Sequence, residues 1–156
     1  MKFFENLSNV DLLDAVREDA VSRAKDYEDI SLIVCILDYV ETVSRKKVKG
    51  LLQEIAGYPR DIPLFDITIK GMEYILAGTG TDELVEVLTK DYWENPVKNS
   101  FAFDKYMGIL EVLMIKEEFP IERVQQILLK ELFLRNQAVW KEEAWVAYEE
   151  YLCKLV

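Results

Sequence analysis

Histidine is missing from all 156 positions, and with it goes the commonest general base near neutral pH and the commonest nitrogen ligand for zinc, copper or iron. Cysteine occurs twice, as Cys35 inside the apolar run LIVCIL and as Cys153 near the C-terminal end. Two are too few for a disulfide framework or a thiolate metal cluster, so both are read as reduced thiols, Cys35 as a small buried hydrophobe. Positive charge is also scarce. Nineteen Lys and Arg against 29 Asp and Glu leave a net charge of −10, which argues against nucleic acid or an anionic membrane surface as partner. The longest apolar run, Leu32 to Leu37, stops at Asp38, far short of the roughly 20 residues of a membrane helix. The opening MKFFENLSNV lacks the basic start, apolar core and cleavage site of a signal peptide, so a soluble, cytoplasmic protein without membrane insertion is expected. GxGxxG, Walker A and GxSxG patterns are missing too, and no cofactor is expected.

What is there is globular composition, 51% apolar and 31% charged, in a length that suits one domain over residues 1–156. The chain is organised around DITIKGMEYILAGTGTDELVEVLTKDYWENP, Asp66 to Pro96. Asp66 is read as the cap of a helix burying Ile69, Met72, Ile75 and Leu76, and Gly78 as its stop. Thr81 is read as the next cap, with Asp82 and Glu83 in the first turn and Leu84, Val87, Leu88 and Tyr92 as the buried stripe. Asn95 and Pro96 end it. The unit predicted is an antiparallel helical hairpin.

Around it the periodicity predicts further helices. Ser8 with Asp11 opens one to about Lys25, burying Leu13, Val16, Ala20 and Ala24 and turning Arg17, Glu18, Arg23 and Asp26 to solvent. A second, from near Asp29 to about Ser44, contains LIVCIL and is read as the central helix. Lys46 to about Ala56 makes a third, with Val48, Leu51, Leu52 and Ile55 inward, ended by Gly57 and Pro59. YPRDIPLF is expected to be extended. After Pro96, Asn99 or Ser100 caps a helix to about Glu118 that buries Tyr106, Ile109, Leu110, Leu113 and Met114. Pro120 opens another, with Val124, Ile127, Leu128 and Leu132 inward, to near Asn136. The last runs to about Leu152 and carries Trp140, Ala144, Ala147, Tyr148 and Tyr151. The class is therefore all-α, about eight helices in a multi-helical bundle or a superhelical stack of hairpins. A faint repeat between residues 36–55 and 109–132 accords with stacked pairs.

Carboxylates spaced along facing helices can hold two metals, but such sites usually add a Glu-x-x-His histidine, which this chain cannot supply. Glu142, Glu143, Glu149 and Glu150 read more simply as the wet face of the last helix. Trp140, Trp145, Tyr148 and Tyr151 read as core, with Trp145 off their stripe and free to anchor a partner.

AGTGTDELVEVL resembles the GxGTDE loop of annexin repeats, which bind calcium and acidic membranes, over about ten residues; the other landmarks of that repeat are missing. A longer likeness rests on Lys47, Gly50, Leu51 and Leu52, then Asp61, Pro63, Leu64 and Phe65, then Gly71 and Gly78, then Asp82, Glu83, Val87 and Leu88. In that order they resemble the cytoplasmic loop of the flagellar stator protein MotA and its relatives, over about a third of the chain, residues 37–88. One basic position of the pattern is Val48 here, and the stator's membrane helices are missing, so a stator channel is not expected. The resemblance implies the part of such proteins that offers charged helices to the rotor. Lys46, Lys47, Lys49 and Glu54 would do so on one helix, and Glu73, Asp82, Glu83 and Glu86 on the hairpin.

The reading is a non-enzymatic protein-protein interaction or regulatory module, motility-associated, binding another protein through charged helices. The alternatives are a small carboxylate- or metal-dependent enzyme and a self-associating helical domain that forms a homodimer.

Overall fold

The computed structural model describes residues 4, 7–23, 50, 53, 56–120, 123–124, 126–128 and 130–131. Helix occupies 75% of them, and no strand occurs among the described residues. Four helices are complete: α1 (Val10–Arg23), α2 (Pro63–Leu76), α3 (Thr81–Glu94) and α4 (Asn99–Lys116). A fifth helical segment is described in part between residues 123 and 131. The described residues thus hold five helices, four of them substantial, rather than about eight. Those expected over 29–44 and 137–152, and nearly all of the one over 46–56, lie outside the described residues.

α4 is the centre of what is described. Every residue from 102 to 114 is buried, the pattern of a helix covered on all sides rather than along one stripe. Helices α1, α2 and α3 pack on it, α2 most extensively, and α3 also touches both α1 and α2. Phe103, Tyr106, Ile109, Leu110, Val112, Leu113 and Met114 are solvent-inaccessible. They meet Leu13, Val16 and Ala20 of α1, Ile67, Ile69 and Met72 of α2, and Leu84 and Leu88 of α3 in one core. A fully buried aliphatic side chain of this kind contributes about 1.5–3 kcal/mol relative to exposure.

Two glycines set how closely α2 and α4 approach. A Cβ added to Gly71 would lie 2.5 Å from both Cγ atoms of Val112, and one added to Gly108 would meet Ile67 closer still. The helices therefore touch nearly backbone to backbone, glycine of one against a β-branched residue of the other, twice within a single turn.

The hairpin of α2 and α3 forms as the sequence predicts, with Gly78 at φ 86° and the amides of Gly78 and Thr79 donating back to the carbonyls of Ile75 and Tyr74. That is the paired closure of a helix end by a left-handed residue. Helix α4 ends in the same way, with Glu118 at φ 55° where a glycine would be easier.

The caps differ from expectation. α2 begins at Pro63, not Asp66, so YPRDIPLF is a turn running into a helix rather than extended chain; proline suits a first helical position because it has no amide to leave unpaired. Gly80 and Lys98 stand at the caps where Thr81 and Asn99 or Ser100 were expected, and neither cap makes a side-chain bond. Ile75 is only half buried and Leu76 is 51% exposed, because the tight turn lifts the end of α2 off the core.

Candidate protein-docking face

The polar side chains that left the caps tie the helices together. Ser8 donates to the Asp82 carboxylate at 2.8 Å, and the Asn9 side-chain amide to the Asp82 carbonyl at 2.9 Å, fixing the start of α1 on the start of α3. Thr81 donates to Glu117, joining the two helix-end turns. Arg17 and Arg23, expected to face solvent, instead clamp α1. Arg17 Nε donates to Glu131 at 2.8 Å, and Tyr106 hydroxyl to the same oxygen at 2.9 Å. Arg23 donates to Asn99 at 2.9 Å and to the Val97 carbonyl, while Tyr92 donates to Asp19 at 2.6 Å. The hydrogen bond to Glu131 raises Arg17 above its ordinary pKa. Burial beside a carboxylate raises both tyrosines.

A second cluster locks the hairpin onto α4. Lys70 of α2 lies 2.9 Å from Asp66 and 2.9 Å from Asp91 of α3, and Lys105 of α4 lies 2.8 Å from Asp91. Lys105, 3% exposed, also donates to the carbonyls of Asp91 and Asn95, each at 3.1 Å, so it closes the C-terminal end of α3. Burial pushes the Asp91 and Asp66 carboxyls up, but the lysines, with Arg60 on Asp66, more than offset it and hold both below the usual carboxylate range. Depressed acids stabilise the fold above their unfolded value of 3.8 and lose that contribution as pH falls through the folded value.

With the interior so tied, the outward side of α3 stands as a continuous polar stripe. Asp82, Glu83, Glu86, Lys90, Trp93 and Glu94 are all exposed and recur at the spacing that brings residues three, four and seven apart onto one face. Four acids and one lysine give it negative charge, and Trp93 at its end is 51% exposed, its ring set edge-on to Tyr92 at 5.0 Å between centroids. On the adjoining end of α2, Glu73 is exposed beside Tyr74 at 41% and Leu76 at 51%.

Of the residues expected to contact a partner, Asp82, Glu83 and Glu86 lie on the exposed stripe of α3, with Asp82 partly engaged by Ser8, and Glu73 is exposed on α2. Lys46, Lys47, Lys49, Glu54 and Trp145 lie outside the described residues. Trp93 is the residue that reading the sequence passed over, because Tyr92 beside it continues the buried stripe. Its signal was position: seven residues after Glu86 and eleven after Asp82, it falls on the wet face.

Among the described residues no helix is long and apolar enough to cross a membrane, and no group of three or more Cys, Asp or Glu side chains is placed to hold a metal ion. Comparison of the chain with models of protein families, with curated proteins and with solved structures finds no match.

Proposed function

We propose that the protein is an interaction module of the cytoplasm that docks another protein through the outward face of α3 and the adjoining end of α2. The observation that carries this reading is Trp93, half exposed at the end of an acidic stripe. A half-exposed indole beside charged neighbours is a ready contact for a partner, and tryptophan is among the commonest anchors of protein interfaces. The surrounding Glu83, Glu86 and Glu94 select a basic partner surface and make the association salt-dependent. The stator-loop resemblance, which includes Asp82 and Glu83 of this face, puts a rotor or stator protein first among partners.

The test is capture on the tagged chain from its host's lysate, comparing wild type with Trp93→Ala and with Glu83→Lys/Glu86→Lys, each first shown to be folded by circular dichroism. A partner held by wild type and lost from both variants, and weakened by salt, supports the reading. A partner held equally by all three, or none held at all, overturns it; recovery of flagellar proteins among those lost decides for the motility assignment.

A further inference from the structure

Glu111 of α4 is 1% exposed, and its Oε1 has no hydrogen-bond partner. It lies in the α2/α4 crossing, between Gly108, which packs on Ile67, and Val112, which packs on Gly71. Among the described residues no cation pairs with it. The group that faces it from α2 is the Thr68 hydroxyl, and that hydroxyl gives its one hydrogen to the Leu64 carbonyl at 2.7 Å. Among the described residues, the cations of α1, α2 and α3 are all paired elsewhere. Lys70 and Asp66 of α2 pair with each other, Lys70 and Lys105 with Asp91 of α3, Arg17 of α1 with Glu131, and Arg23 with Asp19. On α4 itself Lys105 is held by Asp91, and Asp104 has an interaction of its own.

Counting donors bears on the state of Glu111. Thr68 has a single hydroxyl hydrogen, so it can serve Leu64 or Glu111 but not both, and Oε1 of Glu111 has no donor at all. An ionised carboxylate there would be buried with neither a cation nor a full set of donors, a far costlier arrangement. Burial accordingly pushes the Glu111 carboxyl well above the usual carboxylate range, and Thr68 opposes this only in part.

We propose that Glu111 is a proton latch at the α2/α4 crossing: the closed fold binds one proton there, and its release loosens the crossing and the hairpin that α2 carries. Two helices in near backbone contact leave no room for water to enter and solvate a carboxylate without separating, so the ionised side chain and the closed crossing exclude each other. The docking face belongs to the same hairpin, so its presentation follows the proton.

The experiment is thermal unfolding of wild type and Glu111→Gln over a pH series from 5 to 9. Gln keeps the shape and cannot lose a proton. Because the folded chain holds this proton more tightly than the unfolded chain, wild type should lose stability relative to Glu111→Gln as pH rises from the ordinary carboxylate value. The divergence expected is about 3–5 °C for each tenfold difference in proton affinity between the two states. A difference between the proteins that stays constant across the series overturns the proposal. Carbon-13 spectra of wild type labelled at glutamate carboxyls serve as a second measurement, needed if Glu111→Gln does not fold. One carboxyl carbon remaining protonated at pH 7 supports the latch, and a full set of ionised carboxyls in the folded chain refutes it.

Discussion

Lys105 and Glu111 lie six residues apart on the same helix and are almost equally buried, at 3% and 1% exposure, yet their surroundings are opposite. Lys105 has a carboxylate and two helix-end carbonyls within reach, whereas Glu111 has one hydroxyl, whose single hydrogen the Leu64 carbonyl also claims. A buried group keeps its charge where partners compensate the lost water and gives it up where they do not. The two regions consequently fail at opposite ends of the pH scale. Protonating Asp91 and Asp66 dissolves the lysine cluster in acid, while ionising Glu111 strains the crossing as pH rises.

The largest effect expected is at the compensated end. Lys105→Met keeps the apolar stem but removes the donor to Asp91, to its carbonyl and to the Asn95 carbonyl. Denaturant unfolding should show a loss of about 3 kcal/mol, the lower edge of what a broken buried pair costs, because Lys70 stays on Asp91. A loss under about 1 kcal/mol would mean that Lys105 closes α3 no better than water does, and the contrast with Glu111 would collapse.

Next comes the crossing that shuts water away from Glu111. Gly71→Ala drives a methyl into the Val112 side chain, which is branched at Cβ and cannot swing aside. The cost expected is about 1–3 kcal/mol, and Val112→Ala in the same chain should return part of it. Beyond that sum, the separated helices admit water to Glu111, so the pH-dependent difference from Glu111→Gln should shrink in the Gly71→Ala background. Unfolding curves of two cycles that share wild type and Gly71→Ala, one with Val112→Ala and one with Glu111→Gln, check the two expectations in turn.

How much of this was legible in the sequence follows from where each signal lives. Apolar spacing exposed the buried faces of α2 and α3 through Ile69, Met72, Leu84, Leu88 and Tyr92, and Gly78 marked the turn between them, because periodicity and a left-handed residue are local properties. Lys105, Asp104 and Glu111 were not legible. A helix covered on all sides shows no wet face to contrast with, so charged residues inside it look like the surface they are not. The caps misled for a related reason: Ser8, Thr81 and Asn99 have cap chemistry, but each finds a tertiary partner instead, and nothing nearby in sequence announces that partner. The proposed docking face was half legible, since the stator-loop resemblance singled out Glu83 and Glu86, while Trp93 resembles a core residue until its register is counted.

The smallest effect is a control on the lysines themselves. Lys90 of α3 lies 3.7 Å from Glu94, a pairing of the same chemistry as Lys105 with Asp91, but with both side chains more than 60% exposed. In water the Coulomb gain is nearly cancelled by the loss of hydration and of side-chain freedom. Lys90→Ala should therefore change unfolding free energy by less than about 0.5 kcal/mol. Read beside Lys105→Met, it isolates what burial adds to one and the same lysine–carboxylate contact. Were Lys90→Ala to cost as much as Lys105→Met, the stability of the hairpin would reside in charge pairing as such, and the buried carbonyls and the exclusion of water around Lys105 would explain nothing. A near-zero result leaves burial as the source of the difference, and it leaves Lys90, on the proposed docking face, free to be altered for binding studies without disturbing the fold.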